Sequence, residues 1–320
     1  MTGSDPSKDM IDYDPHHWWR HLLKLRGGIL QEIVGRLGVF TIWTVAVTWF
    51  HLNVHKVDVP ATGHTLAGTV LSLLLVFRTN SSYDRFWEGR KLWGGIVNET
   101  RNLLRAAALN IRSPDLLRRL AAWTAVYPYA VTRVLRRGGG LGPAAAVLPP
   151  AEIERVMASR NAGLAVALRM SAVVAEARQL GFISDIVQME IDRNVHLLID
   201  YQGGCERIVK TPLPFAYMLH LRRTLIVFIL GLPFALVESF GWATVPVILL
   251  IAHTFLGIEE IGVEIEEPFG TEDNDLPLEG ISESIANTLD ELVPWRNQLI
   301  ASPALSYAGA PTGKEPSSEA

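Results

Sequence analysis

The sequence predicts an all-α, multi-span helical membrane protein, with four transmembrane helices per subunit and a large helical cytosolic region. Three observations carry that expectation. The chain of 320 residues is 49% apolar and only 19% charged, below the roughly 25% usual for soluble domains. The apolar residues collect into charge-free runs long enough to cross a bilayer. No stretch alternates apolar and polar residues over a useful strand length. The same arithmetic removes other classes. A disordered chain would carry few large apolar residues. A net charge of −4 lacks the positive excess of a generic nucleic-acid binder, so no nucleic-acid partner is expected. The single cysteine, Cys205, leaves no disulfide scaffold and no multi-thiolate metal site.

Leu37 to His55 gives 19 residues between Arg36 and Lys56, and Val59 to Phe77 another 19 between Asp58 and Arg78. Ser239 to Ile258 gives 20 between Glu238 and Glu259, while Thr224 to Val237 gives only 14. At about 1.5 Å rise per residue, 19 or 20 residues cover a hydrocarbon core of roughly 30 Å and 14 do not. The short run extends back through Phe215 to Leu221 if Arg222 and Arg223 snorkel to the interface or face a polar interior. The competing reading of each run is a buried core helix, and three such runs in one chain argue against it.

Lysine and arginine set the orientation. Residues 1–36 carry five of them and Arg78 to Arg137 twelve, whereas residues 51–64 carry only Lys56 and the Glu238–Trp242 connection none. Positive residues accumulate on the cytoplasmic side, which places both termini in the cytosol and the protein, multi-pass, in the cell (inner) membrane. The polar Met1 to Met10 lacks the apolar region of a signal peptide. The expected organisation is a cytosolic N-terminal segment at 1–28, then spans one and two with a long cytosolic extension of span two at 29–110. A cytosolic helical region follows at 111–213, spans three and four at 214–260, an acidic cytosolic segment with a C-terminal helix at 261–300, and a disordered tail at 301–320.

Within the cytosolic part, Arg85 to Leu109 has apolar residues at helical spacing. No proline interrupts Thr62 to Ile111, so span two is expected to run on as one long helix. The glycines at 138–140 with Pro143, Pro149 and Pro150 mark a break, with a helix starting at Ala151. Glu152 to Gln179 and Val187 to Ile199 read as further helices.

The stretch Phe77-Arg78-Thr79-Asn80-Ser81-Ser82-Tyr83-Asp84-Arg85-Phe86-Trp87-Glu88-Gly89-Arg90-Lys91-Leu92-Trp93-Gly94 resembles the signature that follows the second span of bestrophins, in their bacterial branch. A second match, Glu264 to Leu278, resembles that family's acidic segment built round Pro268-Phe269-Gly270. With the span pattern, the resemblance covers roughly residues 15 to 295. It implies a homopentameric ion channel in the lipid bilayer, passing small monovalent inorganic ions. Animal members pass chloride and other anions, and bacterial relatives can favour cations. Five second-span helices would line a pore with an apolar neck, and a cytosolic aperture would lie lower. Counted from Arg78, the neck falls on Thr62, Leu66 and Val70; counted back from Pro214, the aperture falls near Ile186, with Asp185 beside it. An apolar ring gates by dewetting. Asp185 and the acidic segment would favour cations, and Arg78 and Arg85 anions, according to which set faces the conduit.

The acidic segment has two readings. Glu259 to Glu283 holds ten carboxylates and no lysine or arginine. By resemblance to animal bestrophins, which hold calcium here, the ligands would be Glu264, Glu267, Glu272 and Asp275, with calcium as the only cofactor in view. Glu267 and Asn274 depart from the animal pattern, and the segment fails the EF-hand template. The other reading is an acidic belt paired with arginines. Rival functions rest on less. His16, His17 and His21, and His51 with His55 at i, i+4, offer metal-ligating spacing, but on opposite sides of the membrane; Trp18 and Trp19 read better as interfacial anchors. A secondary transporter would show repeats and midplane charges, and neither is visible. No catalytic constellation is found, so no enzyme is expected.

Overall fold

The computed structural model describes residues 29–57 and 59–301. Among these, every regular element is helical. They are α1 (Leu30–Asn53), α2 (Ala61–Asn110), α3 (Pro114–Arg136), α4 (Pro150–Ala158), α5 (Ala162–Gln179), α6 (Asp185–Lys210), α7 (Phe215–Phe240), α8 (Thr244–Glu264) and α9 (Leu278–Ala301), with single 3-10 turns at Pro143–Val147 and Gly241–Ala243. The chain divides into two compact units, 1–94 with 203–278 and 95–202 with 279–320.

The first unit holds the spans. Three helical stretches are long and apolar enough to cross a membrane: Leu30–Asn53, Ala61–Asn110 and Phe215–Glu264. The last would be about 75 Å long as one rod. It is folded in two at Gly241, whose φ of 50° and ψ of −128° form a positive-φ conformation that glycine adopts without steric cost. Across that turn Arg222 meets Glu259 at 2.8 Å and the rings of Phe228 and Phe255 lie 5.4 Å apart, so α7 and α8 run antiparallel. Helix α1 runs alongside α7 in the same direction, because Trp43 donates to the Leu230 carbonyl and His51 meets Glu238 at the same offset. Four spans result. Their core is one cluster, with Ile33, Leu37 and Phe40 of α1 against Leu71 and Leu75 of α2, Leu225, Phe228 and Ile229 of α7, and Ile248 and Ala252 of α8. Lipid tails are as apolar as these side chains, so dispersion packing rather than water exclusion holds them.

Pro233 lies inside α7 and removes a helix hydrogen bond there. Outside donors reach the neighbouring carbonyls, with Trp43 Nε1 on Leu230 O at 3.0 Å and the Val59 amide on Phe234 O at 3.0 Å. Polar groups concentrate at the two ends of the bundle. One end carries His51, Lys56 and Glu238, the His51 Nε2 and Lys56 Nζ lying 2.9 and 3.0 Å from the Glu238 carboxylate. The other carries Arg36, Arg78, Arg222, Glu259 and Glu260. Arg222 and Glu238 are about 24 Å apart along α7, so the charged layers bracket an apolar slab of bilayer scale.

In the second unit α3 packs along α5. Ser113 caps α3 by accepting the Leu116 amide, Pro114 stands at its first position, and Arg137 closes it in the left-handed region. The expected helix over residues 152–179 is broken at Ser159–Asn161 into α4 and α5, because the Asn161 side chain caps the second by accepting the Leu164 amide. Buried Tyr127 donates to the Leu198 carbonyl at 2.7 Å and lies 3.1 Å from Gln202 Oε1, while Gln202 Nε2 donates to Asn161 Oδ1 at 2.7 Å. That polar network joins α3, α5 and α6 and leaves its members satisfied.

Candidate functional site

The membrane part of α2 is the least buried of the spans, with 17% of its apolar window covered against 33% for the other two stretches. Its packed stripe is His64, Gly68, Leu71, Leu75 and Arg78. Gly68 lets the two helices approach closely there, since a Cβ would lie 3.1 Å from the Phe228 ring, which would have to give by a few tenths of an ångström. On the other side Thr62, Leu66, Val70, Leu73 and Phe77 follow at spacings of four, four, three and four, and all are exposed. At about 100° per residue they form one stripe, centred roughly 160° round the helix from the packed one. Leu66 is 67% exposed. The predicted neck residues Thr62, Leu66 and Val70 therefore share one uncovered apolar face. The flank beside it carries Thr65, Thr69 and Ser72, whose hydroxyls are satisfied by carbonyls one turn back, so it presents small polar groups without unpaired donors.

Sequence reasoning stopped at Val70, but the periodicity continues through Leu73 and Phe77 to Asn80 and Asp84. Asp84 is exposed and has no partner among the described residues. Counting on by threes and fours past Arg78 would have found it.

The arginines behave differently. Arg78 is 0% exposed. It is inserted against α8, donating from Nη1 to the Glu259 carbonyl at 3.3 Å, with the Glu266 and Glu259 carboxylates 3.6 and 3.9 Å from Nη2. A side chain at Gly262 would overlap its guanidinium. Arg85 donates to three carbonyls, those of Glu266, Thr211 and Ile208, at 3.1, 2.5 and 2.8 Å. Neither guanidinium stands free: each is taken up by carbonyls or carboxylates of this chain. Both hold the segment after α8. Phe269, 2% exposed, completes the contact by packing on Trp93 and over Gly89. The two stretches that carried the family resemblance are thus packed against each other.

The four carboxylates carried over as calcium ligands lie at the end of α8 and on the loop after it, in different environments. Glu267 and Glu272 are exposed. Asp275 is buried and braces its own loop, accepting the Glu272 amide at 2.7 Å, and Asn274 hydrogen-bonds Glu264. Among the described residues no group of three or more His, Cys, Asp or Glu side chains is placed to hold a metal ion. The acidic residues of this segment that pair with arginine are Glu259, Glu260, Glu266 and Glu279, the last with Arg136. His55 lies beyond the end of α1, off the helical face of His51, and His16, His17, His21, Trp18 and Trp19 lie outside the described residues, as does the tail from 302.

In the second unit, Ile186 is 80% exposed in the first turn of α6, with Met189 also exposed one turn on. They edge a crevice of about 550 Å³ shared with Glu190, Arg193 and His196. Asp185 pairs with Arg178, which holds its carboxyl below the usual range through a hydrogen bond and charge attraction. The carboxylate beside the predicted aperture is thus matched by a cation.

The family model described as Bacterial/Fungal Bestrophin protein matches residues 10–291. A voltage-dependent anion channel-forming protein of Ralstonia nicotianae is 38% identical over 288 residues, covering 87% of this chain and 93% of that protein. The voltage-dependent anion channel-forming protein YneE of Escherichia coli K12 is 33% identical, covering 86% and 91%. Among solved structures, a bacterial bestrophin homologue from Klebsiella pneumoniae superimposes with a TM-score of 0.76 at 30% identity, covering 82% of this chain and 98% of that one. Spans, packed signature stretches and relatives agree: the chain belongs to the bacterial and fungal bestrophin family.

Proposed function

We propose that this protein is the subunit of a homopentameric channel in the cell (inner) membrane, conducting small monovalent ions, with both termini in the cytosol. The observation that carries the reading is the uncovered apolar stripe of α2. A single subunit with four spans cannot enclose a pore lined by one helix. Copies around an axis would turn Thr62, Leu66 and Val70 into successive rings, a neck that conducts only when wetted. Ile186 and Met189 supply the exposed apolar surface for a second, cytosolic constriction. Anion passage is inferred from the names of the relatives. The stripe is uncharged from Thr62 to Asn80, so charge selection falls to its neighbours, Asp84 above all. The acidic segment serves as a belt: Glu259, Glu260 and Glu266 anchor arginines rather than calcium.

Two measurements test this together. Native mass spectrometry in mild detergent should give a pentamer, and monomer or dimer alone would defeat the reading. In liposomes, Leu66→Ala and Val70→Ala widen the ring and lower its dewetting barrier, so ion flux should rise severalfold with the oligomer intact. Variants that conduct like wild type but melt earlier would make these packing residues.

A further inference from the structure

The arginine-bearing end of the span bundle also holds a crevice of about 440 Å³ between α1 and α7. Its walls are apolar, Val39, Ile226, Leu230 and Leu256 among them, and Arg36 and Arg222 stand at one end. It opens outward, since Val39 and Ile226 are 63% and 46% exposed. From Arg222 to Leu230 the wall runs about 12 Å toward the bundle centre. A charged mouth at the interface and an apolar slot directed to mid-bilayer match a lipid headgroup and its chain.

The charges are arranged asymmetrically at that mouth. Glu259 and Glu260 are buried behind, with side chains 3% and 12% exposed, while those of Arg36 and Arg222 are 48% and 49% exposed. Arg222 engages Glu259 through Nε and Arg36 engages Glu260 through Nη1. Their other guanidinium nitrogens have no partner among the described residues. Arg223, next in the chain, is exposed and equally unpaired. The surface therefore offers planar N–H forks, the donor geometry that suits phosphate oxygens. An acyl chain gains little by leaving bulk lipid for an apolar slot, so the headgroup must decide which lipid is held.

We propose that this crevice binds one chain of an anionic phospholipid, its phosphate held by Arg36 and Arg222. The proposal rests on the chain being a membrane protein and not on the pore reading. The test uses the purified oligomer from vesicles of equal phosphatidylglycerol and phosphatidylcholine, with retained lipid counted by native mass spectrometry. Wild type should retain phosphatidylglycerol in preference. Arg222→Gln should lower that preference roughly fivefold, the effect of one guanidinium near a membrane surface. Because that change also leaves Glu259 less compensated, Ile226→Trp provides the independent arm. It fills the slot at a half-exposed position without altering charge, and it should lose the bound lipid while keeping the oligomer and its ion flux. Excess inorganic phosphate should leave the lipid in place. Equal retention of the two lipids by wild type, unchanged retention in Ile226→Trp, or displacement by phosphate alone would overturn the proposal. So would an Ile226→Cys variant whose copies cross-link, since a neighbouring copy would then cover the slot. Loss of ion flux in wild type would instead strike the pore reading and leave this one standing.

Discussion

Asp84 and Arg78 stand six residues apart on α2 with opposite placements, one exposed and without a partner among the described residues, the other buried against α8 and the segment after it. Composition cannot separate them, and only helical phase and the partner helix do. An arginine beside a span is legible in sequence. That it turns inward depends on Gly262, nearly two hundred residues away, having no side chain. Asp84 by contrast continues the stripe of Leu66, Val70, Leu73 and Phe77, so its position follows from counting alone. In an assembly it would place a ring of carboxylates at the mouth of an uncharged passage, raising the local concentration of cations and lowering that of anions. Asp84→Asn should raise the permeability of chloride relative to sodium severalfold, read as a reversal-potential shift under a NaCl gradient. An unchanged reversal potential would mean that Asp84 does not face the conduit. Asp185, matched by Arg178, is expected to contribute less to selection.

Among the elements, the spans and the long α2 were legible because their signals are local. Charge-free length marks a span, and the absence of proline from Thr62 to Ile111 allows the helix that runs Ala61–Asn110. The start of α7 at Phe215 required Arg222 and Arg223 to be tolerated inside a helix. Arg222 is tolerated because α8 brings Glu259 to meet it. The break between α4 and α5 was missed because no glycine or proline marks it; the signal is one Asn161 cap. The acidic segment was legible as acidic, but its chemistry depends on which carboxylates meet arginine across helices, and no spacing rule encodes that. Glu259 is the junction of that system. It is 3% exposed, with Arg222 at 2.8 Å, Arg78 at 3.9 Å and Arg36 at 4.0 Å. Glu259→Gln would leave the buried Arg78 charge less compensated, a loss of about 3–5 kcal/mol. The melting temperature in detergent should fall by roughly 10 °C. A variant as stable as wild type would show that Glu266 alone suffices for Arg78.

For the whole molecule, two readings separate by bulk measurements. An arginine-paired belt needs no metal, and its partly exposed pairs weaken as salt rises. Calcium and a chelator should therefore leave the melting temperature unchanged, while high salt lowers it modestly. A chelator-sensitive melting temperature, lost in a Glu272→Gln, Asp275→Asn double variant, would restore the calcium clasp by mass action. The central claim is that the α2 stripe faces ions rather than lipid. The native thiol offers a silent background, because burial pushes Cys205 up to about 12 and Cys205 has no exposed surface. A thiol placed at Leu66 in the reconstituted protein can then be challenged with a charged, membrane-impermeant thiol reagent while ion flux is recorded. The account predicts that the reagent modifies Leu66→Cys and changes the flux, with wild type unaffected. Modification of Leu66→Cys only by lipophilic reagents, with flux unaltered, would contradict it.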